Sequence, residues 1–154
     1  MSTTATTIEG GRAYLLNGEK LWCTNGPIAD VLVVMARTPI TLPDGTVKRP
    51  ITAFIVERNM LGIEVVHRCR FMGLNGMQNG LLRFTNVRVP RENIIGQPGQ
   101  GLRIALTTLN AGRISLAAAC TAIAKQCLGV TRDWSAVRVQ WGKQIGRASC
   151  RERV

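Results

Sequence analysis

Residues 94–116 read IIGQPGQGLRIALTTLNAGRISL, and the fold is decided by what changes across them. The β-branched pair Ile94-Ile95 stops at Gly96, and Pro98-Gly99-Gln100-Gly101 forms a hinge that neither a strand nor a helix interior accommodates. Beyond it the apolar side chains return with a new period. Leu102, Leu106, Leu109, Leu116, Cys120, Ile123, Cys127, Val130, Trp134, Val137 and Trp141 follow one another at alternating steps of four and three, interrupted only where residue 113 should continue the series. A 3.5-residue period places them on one face of a helix belonging to a bundle or coiled coil. About forty residues is long for a globular helix, so a break near Gly129 is a candidate. One helix cannot bury such a face alone, and the chain must find partners for it.

Before the hinge the pattern is that of short strands and turns. Residues 13–16 and 19–24 read as two strands around Asn17-Gly18, a hairpin signal. Residues 31–36 form a continuous apolar run of strand length, and 38–50, with three prolines and Asp44-Gly45, read as a turn-rich loop. Residues 52–56 and 63–66 are further strands divided by Gly62. Three glycines within 73–80 indicate a loop, and 81–84 and 87–89 are the last strands before Pro90. The fold class is therefore α+β, an antiparallel β-barrel or sandwich followed by a long helix of an all-α bundle.

Composition narrows the function. The formal charge is +11, yet the basic residues are scattered in runs of no more than two and few aromatics accompany them. That distribution argues against a nucleic-acid surface, whose Lys and Arg would gather into a patch. No run of eighteen apolar residues occurs, so no transmembrane segment is expected. The polar, Thr-rich start lacks the features of a signal peptide. Five cysteines form no C-x-x-C pair and His67 stands alone, which leaves no metal site and no Ser-His-Asp triad. Reduced thiols in an intracellular compartment follow.

Two places resist a purely structural reading. Arg113 falls in register on the apolar stripe, where a guanidinium is costly unless it snorkels, pairs with a carboxylate or meets an anionic ligand. Asn110, three residues earlier, shares its face, and the two make a polar pocket suited to a phosphate- or adenine-bearing ligand. Trp22-Cys23-Thr24-Asn25-Gly26 closes a strand. An indole followed two residues later by a hydroxyl can stack on a planar ring and hydrogen-bond to it, although Trp at a strand end is more often core.

These segments together resemble the acyl-CoA dehydrogenase family. The matching stretches are Leu16-Asn17-Gly18-Glu19-Lys20-Leu21-Trp22-Cys23-Thr24-Asn25-Gly26, Ala29-Asp30, Ile51-Thr52-Ala53-Phe54-Ile55-Val56-Glu57, Phe84-Thr85-Asn86-Val87-Arg88-Val89-Pro90, Gly99-Gln100-Gly101, Leu109-Asn110-Ala111-Gly112-Arg113 and Arg138-Val139-Gln140-Trp141-Gly142-Lys143, in order over residues 3–146. The resemblance implies a middle β-domain over 1–96 and the start of a C-terminal helical domain over 99–146. It implies FAD as cofactor, with Trp22 packed on the isoalloxazine, Thr24 bonded to its N5 edge and Cys23 between them. It implies acyl-CoA as substrate, with Asn110 and Arg113 at the CoA moiety. Arg138 and Gln140 match a segment reaching the FAD pyrophosphate of a neighbouring subunit, a role suited to the Arg fork. A homo-oligomer (dimer or tetramer), electron-transfer flavoprotein as redox partner, and a bacterial cytoplasm or mitochondrial matrix are implied with it.

The family reaction needs a carboxylate base at the substrate α-carbon. The family places that Glu far downstream or immediately before the helix Arg, and here the latter position is Gly112. None of Glu9, Glu19, Asp30, Asp44, Glu57, Glu64, Glu92, Asp133 or Glu152 matches, so no catalytic residue is assigned. The chain is expected to be an internal piece of a longer dehydrogenase, inactive alone, with 147–154 a non-native tail. The competing readings are an acyl-CoA oxidase-like flavoprotein and a non-catalytic binding or assembly relative.

Overall fold

The computed structural model describes residues 2–146, and the tail at 147–154 lies outside the described residues. The chain divides into two compact units between Leu106 and Thr107.

The first unit is built on strands β1 (Thr4–Ile8), β2 (Ala13–Thr24), β3 (Val31–Arg37), β4 (Ile40–Thr41), β5 (Val47–Lys48), β6 (Ile51–Glu57), β7 (Ile63–Arg68), β8 (Asn79–Pro90) and β9 (Ile94–Ile95). Seven of them form one sheet in the order β7-β8-β2-β1-β3-β6-β9, and β4 pairs with β5 as a separate ribbon inside the segment read as a loop. Every pairing in the large sheet is antiparallel except that of β1 with β3, where Thr4 lies beside Arg37.

The alternation seen in the sequence becomes a core of Leu16, Phe54, Phe84, Leu82, Val56, Val87 and Val89, all essentially inaccessible to solvent. Tyr14 of β2 meets Phe54 of β6 edge-on, with ring centroids 5.2 Å apart. Two strands separate β2 from β6 in the sheet. At about 4.8 Å per strand a flat sheet would hold those rings much farther apart. The sheet therefore curls over on itself, giving the expected barrel-like sandwich.

Asn17-Gly18 is not a hairpin turn. β2 runs unbroken for 12 residues, and its pairing with β8 shifts register between Leu16 and Gly18. Asn17 spans the irregularity. Its Oδ1 accepts from the Asn86 backbone N–H at 2.9 Å, and its Nδ2 donates to Asn86 Oδ1 at 3.1 Å. Gly18, at φ 131°, is there for space, because a Cβ would stand 2.7 Å from the Thr3 Cα. The same irregularity joins 81–84 and 87–89 into the single strand β8, with Asn86 at φ 50°. The hairpin lies earlier, where a short 3-10 turn over Glu9–Gly11 connects β1 to β2.

Helix α1 (Gly101–Val137) is 37 residues long and continues through Gly129 without a break. Its start is tied to β6, where the Gly99 N–H donates to Thr52 Oγ1 at 2.9 Å and Gln100 bridges to Ile51. At its far end the chain leaves the helix after Val137. Trp141 and Gly142, both at positive φ, turn a small hairpin between β10 (Val139–Gln140) and β11 (Lys143–Gln144). Trp141 therefore does not extend the helical stripe. Among the described residues of α1 only Gly101 is buried; Leu109, Leu116, Ile123 and Trp134 are exposed. The apolar face predicted from periodicity is present and uncovered.

Candidate functional site

The end of β2 is shaped by a second bulge. Lys20 pairs with Leu82 and Cys23 with Gly80, so β2 carries one more residue than β8 across this interval. A bulge bends its strand and re-aims a side chain. Here Trp22 takes φ 56° and the residue is 69% exposed. Trp22 is not part of the core of this unit.

Cys23 turns the other way, partly buried against the core cluster, with its Sγ donating to the Lys20 carbonyl at 3.6 Å. Burial pushes its thiol up. Lys20 lies beside it, its ammonium donating to the Met35 carbonyl at 2.6 Å, and burial pushes that group down.

Thr24 is exposed and stands directly opposite Asn79 in the register of β2 and β8. Its Oγ1 accepts a hydrogen bond from Asn79 Nδ2 at 3.0 Å. The chain then turns at Asn25, which has φ 60° and whose N–H donates to the Gln78 carbonyl at 2.7 Å. Trp22 and Thr24, both exposed, close the same strand end, one offering an aromatic plate and the other a hydroxyl. A planar heteroaromatic group fits such a strand end, the plate offering stacking and the hydroxyl a hydrogen bond to the ring edge. Asn79 was hidden from sequence reasoning because the glycines of 73–80 masked the start of β8. Its position opposite Thr24 follows only from the pairing.

The second unit carries the other candidates. Asn110 and Arg113 are exposed on α1, three residues apart and hence on one face. Arg113 takes part in none of the ion pairs among the described residues. Arg138 lies over the Trp134 ring at 5.8 Å, and its Nη2 reaches Gln140 Oε1 at 3.4 Å. The structure therefore groups Trp22 with Thr24, Asn110 with Arg113, and Arg138 with Gln140, each set within its own unit.

No group of His, Cys, Asp and Glu suited to a metal occurs among the described residues. Several acids are engaged at the surface. Glu9 holds Arg88 through both carboxylate oxygens at 2.8 Å, and Arg83 pairs with Glu19 at 2.8 Å and Glu64 at 3.2 Å. The hydrogen bond from Arg88 draws the Glu9 carboxyl below its usual range.

Comparison with known proteins covers nearly the whole chain. The model of the acyl-CoA dehydrogenase middle domain matches residues 1–87, and that of the acyl-CoA dehydrogenase C-terminal domain matches residues 99–151. "Probable acyl-CoA dehydrogenase FadE10" of Mycobacterium tuberculosis is 55% identical over 147 residues, which are 96% of this chain and 22% of that protein. The chain thus spans about a fifth of the length of that curated relative. Butyryl-CoA dehydrogenase from Megasphaera elsdenii superposes with a TM-score of 0.81 at 37% identity, over 96% of this chain and 37% of its own. An acyl-CoA dehydrogenase from Bacillus anthracis, solved in complex with FAD, gives 0.79 at 33% identity, over 96% and 24% of the two chains. Although no run of eighteen apolar residues occurs, α1 is by length and composition apolar enough to cross a membrane, with a window of mean hydropathy 1.4. The same residues match the acyl-CoA dehydrogenase C-terminal domain.

Proposed function

The chain belongs to the acyl-CoA dehydrogenase family, and from that premise we propose that it contributes the flavin-facing rim and the CoA-facing helix of an FAD-dependent α,β-dehydrogenation of acyl-CoA thioesters. The observation that supports this reading best is the bulged end of β2, which leaves both Trp22 and Thr24 exposed at the same strand end. Bound FAD would supply the hydride acceptor. Trp22 stacks on its ring system, Thr24 holds the N5 edge, and the Cys23 backbone lies between them. Arg138 and Gln140 reach the pyrophosphate of FAD in a neighbouring subunit, which makes the working protein a homo-oligomer. Asn110 and Arg113 hold the CoA moiety, so the break in the apolar stripe is a binding feature. Electron-transfer flavoprotein is the redox partner that suits this chemistry.

The substrate α-proton needs a carboxylate, and no acid of this chain stands where the family places one. Gly112 precedes Arg113. The chain alone therefore binds parts of the reaction without performing it. The test is a flavin spectrum of the purified 154-residue chain with FAD, followed by anaerobic addition of a long-chain acyl-CoA. No bleaching is expected. Bleaching by substrate would show that a carboxylate of this chain replaces the missing base. In a protein that carries the complete C-terminal domain, Arg113→Ala should weaken acyl-CoA binding by about 1–3 kcal/mol, the range of a charged hydrogen bond. Unchanged affinity would remove Arg113 from the site.

A further inference from the structure

Asn79 is a polar side chain whose place in the fold is not explained by stability. It is 5% exposed, and its Oδ1 is buried with no hydrogen-bond partner among the described residues. Buried polar atoms are nearly always paired, and an orphaned one costs free energy that an apolar side chain would avoid. The partner of its Nδ2 is the Thr24 hydroxyl, at 3.0 Å. A hydroxyl has one proton to give and lone pairs to receive. At Thr24 a lone pair is taken from the buried side, while the proton finds no acceptor among the described residues on a residue that is itself exposed.

The turn of the amide decides which way that proton goes. With Nδ2 toward Thr24, the hydroxyl is a receiver on its inner side, and its own proton stays free for an acceptor elsewhere. Turned about, Oδ1 would draw the proton inward, and Nδ2 would occupy the partnerless place, leaving both its N–H groups without an acceptor. The turn in the structure leaves Oδ1 and one N–H of Nδ2 without a partner among the described residues, and it leaves the hydroxyl proton of Thr24 unclaimed from the buried side. We propose that Asn79 is a positioning residue, which fixes Thr24 as a hydrogen-bond donor to an acceptor atom on the edge of the planar ligand held against Trp22. The ligand class, a flavin, rests on the function proposed above.

Two measurements on the full chain test this, and they separate the amide geometry from the flavin. Without ligand, hydrogen exchange of the Asn79 side-chain amide is followed by 15N–1H NMR. One of its two protons should be protected, should lose protection in Thr24→Val, and should keep it in Thr24→Ser. Equal exchange of both protons in the unaltered chain would overturn the proposal, whatever becomes of other variants. In the second measurement FAD is titrated in, with the Trp22 indole and Thr24 backbone N–H signals as readouts. Asn79→Asp offers Thr24 only acceptors, so it should raise the FAD dissociation constant about tenfold, the loss of one hydrogen bond, as should Thr24→Val. FAD bound equally well by Asn79→Asp but worse by Thr24→Val would overturn the positioning role alone. No FAD-dependent shift at Trp22 and Thr24, or equal affinity in both variants and the unaltered chain, would overturn the flavin reading and the inference with it. If Asn79→Asp does not fold, the exchange rates in Thr24→Val and Thr24→Ser decide the matter.

Discussion

The residues up to Leu106 and those from Thr107 onward are about equally rich in apolar side chains, yet they dispose of them in opposite ways. The sheet turns alternate side chains inward and closes over them, so Leu16, Phe54 and Val87 lose all contact with water. The helix gathers its apolar residues onto one stripe and leaves them exposed, Leu116 at 66%. A curled sheet supplies both walls of its own core. A single helix supplies one, and its stability depends on what covers it.

Substitutions can break that contrast. Phe54→Ala should cost about 3–5 kcal/mol in denaturant unfolding of the chain, the range for an aromatic removed from a closed core. Leu116→Ala should stay within about 0.5 kcal/mol, as exposed substitutions do. If the two losses were similar, α1 would be covered in solution, and sedimentation should then reveal association through its stripe.

Glycines sharpen the same contrast. Gly62 has φ 93°, and a Cβ there would stand 2.1 Å from the Thr85 carbonyl oxygen. Gly62→Ala should lose about 2–3 kcal/mol by thermal or denaturant unfolding, since both strain and collision oppose it. Gly112, in α1, has nothing within 4 Å of a built Cβ. Gly112→Ala should raise helix stability by about 0.5–1 kcal/mol, visible in the far-ultraviolet circular dichroism melt. A loss at Gly112 would indicate that another surface approaches the helix there.

Thiol labelling gives the smallest effect. Cys120 and Cys127 on α1 are exposed, whereas Cys23 and Cys69 of the first unit are half-buried. Burial also raises the Cys23 pKa, so less thiolate is present at a given pH. Cys120 and Cys127 should react with a disulfide reagent about tenfold faster than Cys23 near pH 8. Mass mapping of the early adducts checks the order, and early labelling of Cys23 would mean that the end of β2 opens readily.

How much was legible depended on whether a signal was local. The 3.5-residue period from Leu102 to Val137 predicted the helix because periodicity is a property of the segment itself. Its end was overrun to Trp141, since the positive φ of Trp141 and Gly142 leaves the spacing of apolar residues undisturbed. Asn17-Gly18 carried the usual sign of a two-residue turn and proved to be a bulge. The competing demand was a close approach of Thr3 and a side-chain clamp on Asn86, neither visible in the local pattern. β1 was passed over because its residues are mostly Thr, and only its pairing with β2 makes it a strand.

The sequence by itself determined the α+β class, the hinge at Pro98-Gly99-Gln100-Gly101, the face of the long helix and the family, since each is written in periods, turn residues and ordered motifs along the chain. The tertiary structure alone decided that Trp22 faces outward and Cys23 inward, that Lys20 is partly buried beside it, and that Asn79 backs the Thr24 hydroxyl. Those facts depend on register. One extra residue in β2 against β8 re-aims every side chain beyond it, and a pairing across 55 residues leaves no trace in either segment read alone.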